Sequence, residues 1–154
     1  MESMSSLEPA RLYQVDDLGL LYISPIISEW SALSALGIDT VIDLEGGLDA
    51  CIPTTPEACL YIYFPIYDDD LPSLIRLHAV GTLGAELVGG GHRVLCHCGM
   101  GFNRSALMAG VILTKLGMPG VTAVERIRER RPGALFNETF ASYLGSLVSE
   151  RPPL

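Results

Sequence analysis

Residues 93–105 read RVLCHCGMGFNRS, and this stretch decides which fold we expect. Arg93–His97 is apolar on both faces, which is typical of a strand in the middle of a parallel sheet. Helix-forming residues follow from 104 to 116 and end at Gly117, a common helix terminator. The stretch therefore predicts a buried strand, a short glycine-containing loop at residues 98–103, and a helix whose amino end faces that loop.

Short β-favouring runs and helical patterns alternate in the rest of the chain. Apolar or aromatic runs predict further strands at residues 20–23, 40–44 and 60–64. Helical spacing predicts helices at residues 28–36, 72–88 and 121–131, and a last helix capped by Asn137. The pattern predicts the α/β class: a single domain with a central, mostly parallel sheet of about four to five strands and helices on both faces.

Two of the predicted helices have apolar faces that need a partner. The first would be capped by Ser28 and would turn three residues inward: Trp30, Leu33 and Leu36. The last has an apolar stripe that we expect to dock on the sheet, formed by Phe140, Leu144, Leu147 and Val148. Gly81 and Gly84 in the helix at 72–88 each cost roughly 1 kcal/mol relative to alanine, so they predict a closely packed neighbour.

The composition is that of one packed domain, and we expect residues 1–154 to form a single unit. Apolar residues make up 49% of the 154 residues and charged residues only 18%. A formal net charge of -8 repels nucleic acid and anionic membranes at long range. We therefore expect neither as a partner, although backbone amides and an arginine can still hold a phosphate group.

The cysteines and the amino-terminal residues indicate a reducing compartment. The four cysteines do not form the framework of a small secreted domain, since two of them lie together in Cys96-His97-Cys98. Residues 1–14 contain acids and no continuous apolar core, so we expect no targeting peptide. The apolar run at 106–113 is far shorter than the ~20 residues of a membrane helix. We expect a soluble, cytoplasmic protein whose oligomeric state the sequence leaves open.

The loop at residues 98–103 has the composition of an anion cradle beside a nucleophile. Attack by sulfur on a phosphate ester requires a thiolate, which the positive end of a helix favours. In a tight loop, backbone N–H groups would converge beside Cys98 and seat a phosphate group. Arg104 would fork onto two phosphate oxygens, and Ser105 would donate a hydrogen bond to the departing sulfur. The expected phosphate loop consists of Gly99, Met100, Gly101, Phe102, Asn103 and Arg104.

The segment HCGMGFNRS at residues 97–105 resembles the HCxxGxxRS signature of the dual-specificity branch of the protein tyrosine phosphatases. The resemblance covers roughly residues 18–148, through LLYISP, GIDTVIDL, the Tyr-x-x-Phe-Pro end of a strand and RPGALFNETF. It implies a protein tyrosine phosphatase-like fold and a single catalytic domain. It also implies hydrolysis of phosphate monoesters through a phosphocysteine intermediate, without a metal or another cofactor.

The resemblance also implies a general acid in the acidic loop after the strand at 60–64. In the family, an aspartate about thirty residues before the cysteine protonates the leaving oxygen, and Asp68 matches that place. Asp69 and Asp70 remain alternatives, because adjacent carboxylates repel one another and any of them could face the pocket. A solvated acidic loop is the alternative without a catalytic role. We interpret His97 as a supporting residue that fixes the loop backbone and favours the thiolate.

Two other interpretations of the cysteines stay open. Cys96, His97 and Cys98 could ligate zinc, but the remaining cysteines, Cys51 and Cys59, lie in an irregular segment, so no metal is expected. Oxidation could instead join Cys51, Cys59 or Cys96 to Cys98 in a protective disulfide. Otherwise these three cysteines are ordinary small buried residues.

Positive charge is concentrated on one predicted helix and its exit, at Arg126, Arg128, Arg130 and Arg131. These arginines form either a solvated helix face or a docking edge for an acidic phosphopeptide. Asn137 resembles a family position near the rim of the active site, although a role as a helix cap would explain it alone.

The expected substrate is a phosphorylated protein or peptide: phosphotyrosine, and also phosphoserine or phosphothreonine if the pocket is shallow. No lysine or arginine lies between Cys98 and Arg104, unlike the loops of family members that hydrolyse inositol lipids. The pair Asn103-Arg104 resembles phosphatases that act on RNA 5′ ends, but the acidic chain lacks their basic approach surface. Two other classes stay open: a non-catalytic phosphate-binding module, and a sulfur- or arsenate-handling enzyme that would not need Asp68.

Overall fold

Five strands and five helices make up the computed structural model, which describes residues 11–150. The strands are β1 (Tyr13–Gln14), β2 (Leu21–Ser24), β3 (Ile38–Asp43), β4 (Leu60–Tyr63) and β5 (Arg93–His97). The helices are α1 (Trp30–Ala35), α2 (Leu74–Gly89), α3 (Arg104–Lys115), α4 (Gly120–Arg130) and α5 (Glu138–Ser146). Within the described residues, no helix is both long enough and apolar enough to cross a membrane. The expectation about a targeting peptide falls largely on residues 1–10, outside the described residues.

The strands form one sheet in the order β1-β2-β5-β3-β4. Strand β1 runs antiparallel to β2, and the other four strands are parallel to one another. The predicted α/β class, with a mostly parallel sheet in one domain, is confirmed. The sequence did not predict β1, because two residues are too few to show an alternating pattern.

Alternation along the central strand β5 divides the core into two layers. Val94 and Cys96 face the larger layer, to which α2 and α3 contribute Leu77 and Met108. Leu95 faces the smaller layer, which α1 covers. Helices therefore cover both faces of the sheet, and β5 is buried on both sides as predicted.

The carboxyl ends of the parallel strands meet at one edge of the sheet. His97 at the end of β5 pairs with Ser24 of β2 and with Asp43 of β3. In α/β sheets, ligand sites form outside this edge. The chain leaves β5 at this point, passes through residues 98–103 and enters α3, so the predicted strand, loop and helix are confirmed.

The first helix differs from its prediction at both ends. Glu29 rather than Ser28 occupies the N-cap, in an extended conformation and without a side-chain capping bond. Leu33 is buried as predicted, but Leu36 follows the last helical residue and is 40% exposed. The helix therefore ends too early to turn Leu36 inward.

The last helix packs on other helices rather than on the sheet. Phe140 and Leu144 are fully buried, but Val148 lies beyond the end of α5 and is 77% exposed. Helix α5 packs on α3 and α4, and Leu144 lies against Gly110. The predicted cap is confirmed, because Asn137 Oδ1 accepts a hydrogen bond from Phe140 N at 3.1 Å.

Gly81 and Gly84 allow α2 to approach α3 closely, as the sequence predicts. A Cβ atom added at Gly81 would lie 2.6 Å from Val111 Cγ1, and one at Gly84 would lie 2.6 Å from Ile112 Cδ1. Both distances are far below van der Waals contact. The close approach therefore depends on the missing side chains at these two positions.

We predict that Gly81→Ala destabilises the protein although alanine is the better helix former. Val111 is β-branched and its χ1 angle is nearly fixed in a helix, so it cannot rotate away from the added methyl group. Urea unfolding should show a free energy of unfolding lower by about 1–3 kcal/mol. Gly145→Ala in α5 is the matched control, since a Cβ there meets nothing within 4 Å, and it should raise that free energy by up to about 1 kcal/mol. Equal effects of the two variants would contradict the packing account.

Candidate phosphate-binding site

The loop at residues 98–103 is anchored from outside through its carbonyl groups. The four carbonyl oxygens of residues 99–102 accept hydrogen bonds from Ile26 N (3.3 Å), Arg131 Nη2 (3.2 Å), Arg131 Nε (3.3 Å) and Leu135 N (2.8 Å). In a trans peptide the N–H points opposite to the preceding carbonyl, so the N–H groups of residues 100–103 point the other way. Gly101 N donates to Cys98 Sγ at 3.3 Å, which shows that this other side holds the sulfur.

Arg131 holds two of these carbonyl groups. Its Nε and Nη2 atoms donate to the carbonyl oxygens of Gly101 and Met100, and its Nη1 donates to the Tyr13 hydroxyl at 2.9 Å. The guanidinium carbon lies 3.9 Å from the ring centre of Phe102 and 4.4 Å from that of Tyr13. Arg131 is only 9% exposed, so the interpretation as part of a solvated helix face is wrong for this residue.

The other three arginines of the predicted basic cluster are also paired within the chain. Arg126 and Arg130 both contact the Asp17 carboxylate, at 3.4 and 3.0 Å. Arg128 donates to the carbonyl groups of Ala134 and Leu135. All four guanidinium groups therefore have partners within the chain, and docking of an acidic phosphopeptide on this edge stays a prediction.

Two glycines make the loop's close approach to its surroundings possible. Gly101 has φ of +74°, and a Cβ atom there would lie 2.6 Å from Pro25 N and 2.8 Å from the carbonyl carbon of Ser24. A Cβ atom at Gly99 would lie 2.8 Å from Glu45 Oε1. Gly101 is thus required both for its backbone angle and for space.

The Cys98 sulfur lies at the amino end of α3. It is 2% exposed, and a hydrogen bond of 3.4 Å joins Sγ to Ser105 Oγ. Asn103 occupies the N-cap of α3 but makes no side-chain capping bond. The first N–H groups of an uncapped helix carry partial positive charge, and this charge favours an anion beside Cys98.

Arg104 is held by a carboxylate that the sequence analysis did not single out. Its Nη2 lies 2.7 Å from Glu45 Oε1, and its Nη1 donates to the carbonyl of Ile66 at 3.4 Å. The same Glu45 oxygen accepts the N–H of Gly99 at 2.7 Å. Arg104 Nε is buried and has no hydrogen-bond partner among residues 11–150.

Asp68 is the member of the acidic loop that contacts the phosphate loop. Its Oδ2 accepts a hydrogen bond from Asn103 Nδ2 at 2.9 Å, and its Oδ1 accepts one from Asn137 Nδ2 at 2.8 Å. The Asp70 carboxylate instead accepts the N–H of Leu71, next to it in the chain. Asn137 therefore does more than cap α5, since it also holds Asp68.

His97 takes part in a buried network with two carboxylates. Its Nε2 lies 2.6 Å from Asp49 Oδ2 and 3.3 Å from Asp43 Oδ1, and the Tyr61 hydroxyl contacts both carboxylates. Burial raises the pKa of Asp43, although the Tyr61 hydrogen bond opposes that shift. Burial also raises the pKa of Tyr61, which keeps its phenol protonated. His97 Nδ1 is buried without a hydrogen-bond partner among the described residues.

This network also bears on the metal interpretation. Ligand atoms of Asp43, Asp49 and His97 all lie within 4.8 Å of one another, but the three side chains are already paired with each other. Among residues 11–150, the ligand atoms that lie together at His97 are those of Asp43 and Asp49, not those of Cys96 and Cys98, so the structure does not assemble the ligand set of the zinc hypothesis.

The other three cysteines have different surroundings, and all four are free thiols. Cys96 is fully buried, and burial together with the nearby Cys98 raises its pKa, so it remains an unreactive thiol. Cys59 is half-buried, and its pKa is also raised, chiefly by burial. Cys51 is exposed. A protective disulfide with Cys98 stays a prediction.

A cavity of about 420 Å³ opens beside Arg104. Its lining residues are Glu45, Gly46, Tyr63, Pro65, Ile66, Tyr67 and Arg104. Tyr67 is 87% exposed at its rim, next to Asp68. The cavity is therefore lined by two tyrosines and a glutamate and contacts Arg104.

The comparison with known sequences finds no match: no protein-family model fits this chain, and no curated protein resembles it. Solved structures do resemble it. A single-residue variant of human DUSP28 superimposes with a TM-score of 0.75 at 22% identity, covering 88% of this chain and 92% of that one. A mouse putative dual specificity phosphatase complexed with zinc tungstate gives 0.75 at 22% identity, with coverage of 90% and 86%.

A third similar structure, Tk-PTP in its active form, gives a TM-score of 0.69 at 24% identity, covering 89% of this chain and 97% of that one. Identities this low establish the fold and leave the activity to be argued from the site. The fold of this chain is that of the dual-specificity branch of the protein tyrosine phosphatases.

Proposed function

We propose that the chain is a phosphatase that hydrolyses phosphate monoesters of proteins through a phosphocysteine intermediate. The observation that carries this proposal is the outward anchoring of the four carbonyl groups of residues 99–102, which turns the following N–H groups to the opposite side, where Gly101 N donates to the Cys98 sulfur. Such a ring of amides binds a tetrahedral oxyanion and favours a thiolate. One similar structure, the mouse putative phosphatase, holds tungstate, which has the same shape as phosphate.

Each residue near the sulfur has a role in the proposed reaction. The Cys98 thiolate attacks phosphorus, and a sulfur–phosphorus bond forms as the bond to the leaving oxygen breaks. Asp68 gives its proton to that oxygen. Arg104 and the loop amides hold the three equatorial oxygens, whose charge changes most in the transition state.

Hydrolysis of the intermediate uses the same groups in reverse. A water molecule attacks phosphorus and gives a proton to Asp68, while the sulfur leaves as a thiolate. Ser105 Oγ, 3.4 Å from the sulfur, donates a hydrogen bond to the departing thiolate. The free thiolate and the protonated Asp68 are then ready for another substrate.

We propose a phosphorylated protein or peptide as the substrate. The cavity beside Arg104 has aromatic walls, Tyr63 and Tyr67, which suit the ring of phosphotyrosine. Acidic side chains, Glu45 and Asp68, flank the phosphate loop, and this disfavours polyanions such as inositol lipids and RNA 5′ ends. Phosphoserine and phosphothreonine are shorter, and their turnover would show that the loop can be reached from a shallow pocket.

We predict that the protein hydrolyses p-nitrophenyl phosphate and a phosphotyrosine peptide in the presence of a metal chelator, and that Cys98→Ser abolishes both activities. Serine keeps the shape of the site but is a far weaker nucleophile at neutral pH. Phosphate release measures the rates. Cys96→Ser is the matched control and should retain activity, since that thiol is buried and unreactive. Turnover that survives in Cys98→Ser would exclude the mechanism, and a wild-type chain without turnover would indicate a phosphate-binding module.

We predict that Asp68→Asn lowers kcat by about 10²- to 10⁴-fold, the scale of lost general acid catalysis. Asp70→Asn is the control, because the Asp70 carboxylate bonds to its own loop and should change kcat little. Steady-state kinetics with an alkyl phosphate, which has a poor leaving group, gives the clearest measurement. A normal rate for Asp68→Asn would favour an enzyme of sulfur or arsenate chemistry, and a loss confined to Asp69→Asn or Asp70→Asn would reassign the acid.

We predict that Arg131→Lys weakens tungstate binding by about tenfold, because one ammonium group cannot hold two loop carbonyls and stack on Phe102. Isothermal titration calorimetry measures the dissociation constant. Arg130→Lys is the control, because Arg130 is next to Arg131 in the chain but is paired with Asp17 and with the carbonyl of Gln14, and this variant should bind tungstate like the wild type. Unchanged tungstate binding in Arg131→Lys would show that the loop keeps its shape without the two hydrogen bonds from the Arg131 guanidinium.

A further inference from the structure

We infer that Glu45 is a displaceable ligand of the phosphate loop, whose carboxylate holds an oxyanion position that an incoming phosphate group must take over. This inference rests on the proposed function. Glu45 Oε1 accepts two hydrogen bonds of 2.7 Å, one from Gly99 N and one from Arg104 Nη2. A phosphate oxygen bound between the loop and its arginine would use this same pair of donors.

The Glu45 carboxylate pairs with only some of the hydrogen-bond donors around it. Arg104 Nε is buried and has no hydrogen-bond partner among residues 11–150, although a buried unpaired donor is costly. Glu45 places a single oxygen, Oε1, between Gly99 N and Arg104 Nη2. A tetrahedral oxyanion has three or four oxygens, so it can accept a hydrogen bond from Arg104 Nε as well as from these two donors. The geometry thus favours exchange of Glu45 for a phosphate group.

The Glu45 side chain has room to leave. It is 34% exposed and forms part of the wall of the cavity of about 420 Å³. Its backbone is fixed by a hydrogen bond from Glu45 N to Asp43 Oδ1 at 2.9 Å. Side-chain rotation into the cavity would therefore free Gly99 N and Arg104 without moving β3.

Displacement of Glu45 would also affect which anions the loop binds. Any anion must replace a carboxylate that is already seated on two donors, so an anion that merely repeats those two bonds gains little. A phosphate group also reaches the inward amides and Arg104 Nε, and this surplus favours it. Glu45 would thus select tetrahedral oxyanions against carboxylates.

In the alternative role, Glu45 is not displaced: it orients Arg104 for the substrate and stays in place during the reaction. The two roles predict opposite changes when its charge is removed. Loss of a competitor strengthens anion binding, whereas loss of an orienting partner weakens it.

The test measures tungstate binding by isothermal titration calorimetry in a Cys98→Ser parent, so that turnover plays no part. We expect Glu45→Gln to bind tungstate about three- to fivefold more tightly than the parent, the scale of one partly exposed ion pair. Glu86→Gln, at an exposed position of α2, removes the same charge elsewhere and should change the affinity by less than about twofold. In the otherwise wild-type enzyme, Glu45→Gln should also lower KM for a phosphotyrosine peptide.

Equal or weaker tungstate binding in Glu45→Gln would overturn the inference and leave the proposed phosphatase intact. If Glu45→Gln does not fold, Glu45→Ala decides in the same way, since it removes the whole competing carboxylate. Tungstate binding that fails in the parent but appears in the Glu45 variants would support displacement strongly. Failure in the parent and in both variants would overturn the phosphate loop itself, and the role of Glu45 with it.

Discussion

The site depends on one constraint: the carbonyl groups of residues 99–102 are held outward by partners from two separate parts of the chain, residue 26 and the segment 131–135. Those partners are the N–H groups of Ile26 and Leu135 and the guanidinium of Arg131. Because each peptide unit is planar, fixing a carbonyl fixes the following N–H. The inward amides therefore follow from contacts that never touch the anion position, and the sheet and α3 fix where the loop begins and ends.

The positive potential near the Cys98 sulfur is local, and it opposes the negative charge of the chain as a whole. The chain has a formal net charge of -8, and carboxylates of Glu45 and Asp68 lie beside the loop. Oriented N–H groups, the amino end of α3 and Arg104 supply the positive potential at short range, where distant charges are screened. His97, the residue before Cys98, contacts the buried carboxylates of Asp43 and Asp49 through Nε2, so these two groups are paired within the chain.

The sequence predicted the features that arise from neighbouring residues. The apolar strand, the glycine loop and the helix after Arg104 lie within about two dozen residues, and periodicity alone indicates them. The close packing of α2 on α3 followed from Gly81 and Gly84, because a helix rarely contains two glycines without a packing reason. Asp68 was the aspartate that the resemblance favoured over Asp69 and Asp70, and in the structure its carboxylate contacts Asn103 and Asn137.

Features that join distant segments were not predicted. The sequence indicated surface charge at Arg131, since its carbonyl partners in the loop lie thirty residues earlier and carry no side-chain signal. Asp43, Glu45 and Asp49 lie at or after the end of β3. They are far from Cys98 in the chain, and the motif around that cysteine contains no signal for them. Polar residues that follow a buried parallel strand are the signal that could have found them, because strand ends of this kind meet at one edge.

In the proposed mechanism the Cys98 sulfur carries the phosphoryl group during turnover. The most direct measurement is rapid denaturation of the enzyme in detergent at alkaline pH during turnover of a radiolabelled phosphotyrosine peptide, followed by proteolysis and identification of the labelled fragment. We expect label on the fragment that contains Cys98 and no label on that fragment in Cys98→Ser. Turnover without label on that fragment, or label on any other residue, would contradict the account.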